Sequence, residues 1–275
     1  MSDNPILNIV DLSVIDTLNQ HPLINHLSMA IYPHRSLAIV GESGSGKSLL
    51  AKAIVGLLPS SLSAQGDIFF HDKRLSDLSA KQWQQMRGRK ISLVVQNAMS
   101  AFDPLMTIGH QFDETLNTHF SLSVVQRQQR IMASLDKVKL LQVHNLLNSY
   151  PHQLSGGQLQ RVMIAIALAL EPDIIIADEP TTALDAITQF EVMQAFTALI
   201  DENKATLIFI THDLGLVKGI ADDIAVMKNG EIIEFNNKAA LLSAPKHPYT
   251  QFLLATRQKL TERFDKIRGN HVIKC

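Results

Sequence analysis

Cysteine is nearly missing. Among 275 residues there is one, Cys275, at the last position. A single thiol excludes an internal disulfide and a multi-cysteine metal site. Long apolar runs are missing too. The longest is Val162 to Leu170, well short of the roughly 20 residues a membrane-spanning helix needs. Charge of one sign is not in excess: Lys and Arg total 25, Asp and Glu 26, for a net charge of −1. No basic stripe or polybasic cluster marks a nucleic-acid or lipid-surface partner. The start, MSDNPILNIV, has no basic region followed by a long apolar one, so no secretory leader is expected. Together these absences predict a soluble protein of the cytoplasm.

What is present describes a globular chain, 46% hydrophobic and 19% charged, long enough to bury a substantial core. Apolar, β-prone runs recur at SLAIVG (36–41), DIFFH (67–71), ISLVV (91–95), DIIIAD (173–178), TLIFIT (206–211) and DIAVM (223–227). Helix-like stretches fall between several of them, including Lys47 to Leu58, stopped by Pro59, and Gly157 to Leu170, stopped before Pro172. This alternation predicts an α/β sheet with helices on its faces. Leu27 to Pro33 and Gly66 to His71 read as antiparallel strands attached to the main sheet. Residues 105–153 have no strong strand, and Val124, Ile131, Leu135 and Val138 recur at helical intervals. One domain over 1–275 is expected. Its α/β core spans 1–96 and 166–243, a helical subdomain is inserted at 97–165, and a tail of 244–275 ends in a loosely held GNHVIKC.

GESGSGKS, Gly41 to Ser48, follows a strand and opens a helix. It fits the G-x-x-x-x-G-K-[ST] phosphate loop, in which glycines let backbone N–H groups approach phosphate oxygens and the helix N-terminus adds its positive dipole end. Gly41, Ser43, Gly44, Ser45, Gly46, Lys47, Ser48 and Leu49 are therefore the expected nucleotide-binding residues. Lys47 is placed on the β- and γ-phosphates and Ser48 on Mg²⁺. DIIIADEP ends a strand in two carboxylates. Asp178 is expected to hold Mg²⁺ through water, and Glu179 to act as general base toward the attacking water. LSGGQ, Leu154 to Gln158, opens a second apolar helix with a hydroxyl, two glycines and a dipole. One nucleotide does not need two such sites, so the second suits the ATP of another subunit.

GESGSGKS, Gln96, LSGGQLQR, IIIADEPTTALD and THD, in this order, resemble the ATP-binding subunit of an ABC transporter, and the resemblance covers nearly the whole chain. It implies a P-loop NTPase (RecA-like) core with an antiparallel β subdomain and an inserted helical subdomain, with ATP and Mg²⁺ as ligands. It also implies a head-to-tail pair of subunits, each ATP lying between one phosphate loop and the partner's Ser155, Gly156, Gly157 and Gln158. Asp185 would lie in a loop crossing that interface, His212 would contact the γ-phosphate, and Gln96 would reach the γ-phosphate and Mg²⁺. The family usually stacks an aromatic residue on adenine. LSVIDTLNQHPLI (12–24) has none, so Leu18, Ile15 or His21 are the substitutes.

APKHPYTQFLLA (244–255) resembles a motif of the dipeptide, oligopeptide and nickel importer group. The loop Ala-Phe-Asp-Pro, Ala101 to Pro104, where peptide importers usually have Ser-Leu-Asn-Pro, is more similar to subunits for nickel or metal–opine (metallophore) complexes. The resemblance implies a second, non-identical ATPase subunit, two membrane permeases, an extracytoplasmic solute-binding protein acting indirectly, no nucleic acid, and a peripheral place on the cytoplasmic face of the membrane. A dipeptide or oligopeptide importer ATPase is the alternative; a nucleotide-gated clamp or regulator is the alternative of another class. Phe102 reads best as an apolar contact near the permease's coupling helix, with a local anchor packed into the subdomain core as the alternative.

Overall fold

A bulged strand near the start of the chain lies inside a small sheet that stands apart from the main one. The protein, seen in a computed structural model, is described over residues 4–182, 184–201 and 205–256. Cys275 and GNHVIKC lie outside the described residues. Among the described residues the strands form a four-stranded and a six-stranded sheet.

The chain opens with β1 (Leu7–Asp16) and β2 (Pro22–Ile31), followed by β3 (Ser36–Val40), α1 (Lys47–Ile54), β4 (Leu62–Phe70) and the two-residue β5 (Lys73–Arg74). The smaller sheet has the order β2-β1-β4-β5 and is antiparallel throughout. Leu27–Pro33 and Gly66–His71 therefore contribute to strands as expected, but not to the main sheet. β1 lies between β2 and β4 and takes an edge of each. Its register shifts between Ile9 and Leu12, around the left-handed Asp11 (φ 53°). Such a bulge interrupts the alternation by which a strand is recognised.

The chain continues through α2 (Ala80–Met86), β6 (Ile91–Val94), α3 (Ile108–His119), α4 (Val124–Lys137), α5 (Val143–Asn148), α6 (Gly156–Ala169) and β7 (Ile174–Asp178). It then adds α7 (Ala186–Asp201), β8 (Thr206–Thr211), α8 (Leu214–Ile220), β9 (Asp223–Lys228), β10 (Glu231–Asn237) and α9 (Lys238–Ser243). The larger sheet runs β10-β9-β3-β8-β7-β6, parallel except for the edge strand β10. Every residue of β3, β7 and β8 is buried. Continuous apolar runs are what a parallel sheet covered on both faces requires. The carboxyl ends of β3, β8, β7 and β6 thus open side by side on one rim, where loops of an open α/β sheet bind ligands.

α1 is shorter than expected. It ends at Ile54 rather than Leu58, because Gly56 adopts φ 63° and Leu57 N–H returns to Lys52 O at 2.8 Å. A left-handed glycine, not Pro59, is the stop. In α4, Ile131 and Leu135 are buried, as is Val138 just after it, but Val124 is exposed. Its first turn extends past the core. The boundary expected at 165 falls inside α6, whose buried face packs with α3, α4 and the sheet in one continuous cluster.

Phe102 follows a short 3₁₀ turn, Ala98–Ala101, and is only 9% exposed. It belongs to the same buried cluster as Ala98, Ile108, Phe112 and Leu159. Gln111 pins the loop behind it, accepting from Asp103 N–H (2.9 Å) and donating to the carbonyls of Asp103 (3.0 Å) and Met106 (2.9 Å). The reading of Phe102 as a permease contact is corrected: it is the subdomain's anchor. The exposed apolar residues of this loop are Met99 and Leu105. Phe102→Ala is expected to cost about 3 kcal/mol and lower the thermal midpoint by several degrees, while Leu105→Ala leaves it within about 1 °C. Thermal unfolding of the two variants checks this.

Candidate nucleotide-hydrolysis site

The phosphate loop leaves β3 and enters α1 through Gly46, at φ 102°. A Cβ there would meet the Met227 side chain at 2.8 Å, and one on Gly41 would meet the Met227 carbonyl oxygen at 2.2 Å. Both glycines are required by the approach of β9. Lys47 is buried and donates to the carbonyls of Gly41 (2.9 Å) and Glu42 (2.7 Å). Its burial lowers the ammonium pKa, against the pull of Glu179, Asp178 and Glu42. A cation part-stripped of water and held by neutral carbonyls is arranged to gain from an arriving anion.

A cleft of about 810 Å³ opens over this loop. Ser43, Gly44, Gly46, Lys47, Ser48 and Leu49 line it, and so do Gln96, Glu179 and His212 from the neighbouring strand ends. Gly41, Ser45 and Asp178 stand behind that lining. Asp178, the last residue of β7, is buried, and its Oδ1 accepts from Ser48 Oγ at 3.0 Å. Burial raises its pKa, partly offset by the Ser48 bond. A hydroxyl beside a buried carboxylate is a hard oxygen pair that suits Mg²⁺, which keeps several waters and takes few protein ligands.

Glu179 turns out of the strand with a left-handed backbone (φ 46°), its N–H held by Ile210 O of β8 at 2.9 Å. Three side chains then grip its carboxylate. Gln96 Nε2 donates to Oε2 at 3.0 Å, Thr182 Oγ1 donates to the same oxygen at 3.1 Å, and His212 Nδ1 lies 3.2 Å from Oε1. Gln96 follows β6, Glu179 follows β7 and His212 follows β8. The parallel register of adjacent strands brings these three residues, distant in sequence, to one point. A half-buried carboxylate so oriented can take a proton from a water in the cleft. The amide Nε2 of Gln96 is engaged by Glu179, which leaves its oxygen as an acceptor toward a cation.

Ser155–Gln158 and Asp185 are not part of the lining. Ser155 caps α6: its Oγ accepts from Gln158 N–H at 3.2 Å, and Gln158 Oε1 accepts from Ser155 N–H at 2.9 Å. A Cβ on Gly156 would touch nothing within 4 Å. Asp185 caps α7, accepting from Thr188 Oγ1 (2.7 Å) and from the N–H groups of Ile187 and Thr188 (3.1 Å each). The Thr188 hydroxyl and these amides lower its pKa.

Sequence reasoning missed Thr182, Glu42 and Leu23, all of which line the cleft. Thr182 had a signal, a hydroxyl three residues after a strand-end glutamate. Leu23 had none, because its place depends on contact between the two sheets. Gly230 N–H donates to Ser45 O (3.1 Å), and Gly230 O accepts from Asn25 N–H (3.0 Å). This strap holds the start of β2 beside the phosphate loop. Leu23 is the apolar wall of the cleft, in place of the expected Leu18, Ile15 or His21. Leu18 is 83% exposed in the preceding turn. Leu23→Ser is expected to raise the nucleotide Kd about fivefold, as loss of roughly 1 kcal/mol of apolar contact implies, and Leu18→Ser to leave it unchanged. Titration calorimetry with Mg²⁺–ADP separates them.

Comparison with known proteins agrees with this geometry. The ABC transporter family model matches residues 24–182. The chain is 41% identical over 266 residues to the Metal-staphylopine import system ATP-binding protein CntD of Staphylococcus aureus, covering 96% of this chain and 98% of that one. It is 40% identical over 246 residues to the Dipeptide transport ATP-binding protein DppD of Lactococcus lactis, covering 89% and 70% respectively. Among solved structures, a dimeric ATP-binding cassette in a post-hydrolysis state with ADP and Pi matches with a TM-score of 0.76 and 28% identity, over 84% of this chain and 98% of that one. The strand-end chemistry, the α/β core with its antiparallel and helical additions, and the extent of these likenesses together make the chain a member of the ABC transporter family, an ATP-hydrolysing cassette.

Proposed function

We propose that this chain energises an ABC importer for nickel or a metal–metallophore complex, from the cytoplasmic face of the membrane and through separate permeases. The observation that carries the hydrolytic part is the Glu179 carboxylate, gripped by Gln96, Thr182 and His212 on the rim opposite Lys47. Lys47 exchanges its carbonyl partners for phosphate oxygens and stabilises charge on the transferring group. Ser48 and Gln96 would hold Mg²⁺ directly and Asp178 through water; when bound, the ion neutralises charge on the β- and γ-oxygens. Glu179 accepts the proton of the water that attacks phosphorus, and the β–γ bridging oxygen leaves with ADP. As a doubly protonated imidazolium, His212 donates Nδ1–H to Glu179 and Nε2–H to the γ-phosphate. Thr182 and Gln96 keep the carboxylate aimed.

The second half of each site is assigned to a partner ATPase subunit, non-identical in this importer group. Gly156 supports this reading: no neighbour within the chain would meet a Cβ there, so its lack of a side chain suits approach from outside. Asp185, at the exposed start of α7, is assigned to the same interface. Met99 and Leu105, exposed beside the buried Phe102, are the apolar surface offered to a permease. The solute-binding protein and the cargo do not touch this chain. The metal reading is supported by the metal-staphylopine relative, of which the chain covers 98%, against 70% for the dipeptide relative.

Glu179→Gln is expected to retain nucleotide and to reduce steady-state hydrolysis at least about 100-fold; phosphate release at a wild-type rate would remove Glu179 from the base role. For cargo, a deletion strain is expected to lose uptake of radioactive nickel or its metallophore complex and to keep dipeptide uptake. The reverse pattern would assign the chain to peptides.

A further inference from the structure

The segment HPYT, which in the sequence only marked an importer group, meets the phosphate loop. Glu42 N–H donates to Tyr249 Oη at 3.2 Å. The carbonyl of the same residue accepts from Lys47 Nζ at 2.7 Å. Glu42 is thus held on one side by the lysine of the loop and on the other by the tail. Tyr249 is only 7% exposed and packs with Val40 at the end of β3, with Leu214 and Val217 of α8, and with Leu241 of α9. Lys228 Nζ lies 4.5 Å from its ring centroid. The backbone before it is clamped as well. Glu234 accepts from Lys246 N–H (2.8 Å) and His247 N–H (3.0 Å), and His247 Nδ1 accepts from Tyr249 N–H (3.1 Å).

A tyrosine ring fixed on this many sides places its hydroxyl with little freedom. Glu42 is the first residue after the strand to line the cleft, so the direction of its peptide sets the entry into the loop of N–H donors that follows. An unheld peptide there would have to be ordered when phosphate binds, at a cost to affinity. We infer that Tyr249 is a positioning residue for nucleotide binding, its hydroxyl fixing the Glu42 peptide so that the phosphate loop is preformed, which makes the tail after α9 part of the ATP site. The inference rests on the reading of the cleft as an ATP site.

The test is the Kd of the full chain for Mg²⁺–ADP by titration calorimetry, at a temperature where wild type and variants are folded. Tyr249→Phe keeps the ring and removes the hydroxyl. It is expected to raise Kd roughly three- to tenfold, the range for loss of one hydrogen bond, whatever small change the thermal midpoint shows. An unchanged Kd, with or without a lowered midpoint, would overturn the inference and leave Tyr249 a packing residue. If Tyr249→Phe is too unstable to titrate, Glu234→Gln carries the same test, since it loosens the clamp while keeping the phenol: a raised Kd supports the inference and an unchanged one overturns it. Failure of the wild-type chain to bind Mg²⁺–ADP would overturn the ATP-site reading along with it.

Discussion

The grip on the Glu179 carboxylate is the interaction on which the rest of the site depends. Its three donors come from the ends of two other strands and from the turn after its own. They meet only because β6, β7 and β8 are parallel, adjacent and in register, Val94 opposite Ala177 and Asp178 opposite Ile210. A slip of one residue in either pair would move each side chain to the opposite face of the sheet and would break the convergence. The buried apolar residues of β7 and β8 thus do more than stabilise a sheet. They fix the spacing at which a carboxylate, an amide and an imidazole can share a proton or a water.

Two further contacts tie this rim to the remainder of the molecule. Gly230 links Ser45 in the phosphate loop to Asn25 in the smaller sheet, so the apolar wall at Leu23 moves with the loop. On the other side, Gln160, buried in α6, donates to Val95 O at 3.2 Å, one residue before Gln96. The helix that begins with Ser155 is thereby bonded to the strand exit that delivers Gln96. The proposed coupling of nucleotide to permease would pass through this bond between the helical subdomain and the strand exit.

Most of the site was legible in the sequence because its chemistry is local. Gly41 to Ser48 form a contiguous loop, and Asp178, Glu179 and His212 stand at the ends of apolar runs that announce themselves as strands. What was not legible depends on contacts between distant segments. Leu23 reaches the cleft through the meeting of two sheets, and Tyr249 touches Glu42 from 207 positions further along the chain. β1 was obscured by its bulge at Asp11, so the residues alone made its neighbours look like additions to the larger sheet, and the antiparallel β subdomain was legible only through the family resemblance. Phe102 was misread for a related reason: a loop aromatic looks exposed until the helices around it, α3 and α6, are seen to close over it.

Four strand ends of this chain line one half of the hydrolytic site, and the proposed other half comes from a partner cassette. A crystal structure of the chain carrying Glu179→Gln, with its partner ATPase subunit and Mg²⁺–ATP, tests it most directly. The γ-phosphate is expected between Lys47 and residue 179, with Gln96 and His212 on it and the partner's glycine-opened helix closing the far side. ATP seated on the same loop but covered by Ser155–Gln158 of its own chain, or with its γ-phosphate turned away from residue 179, would contradict the claim.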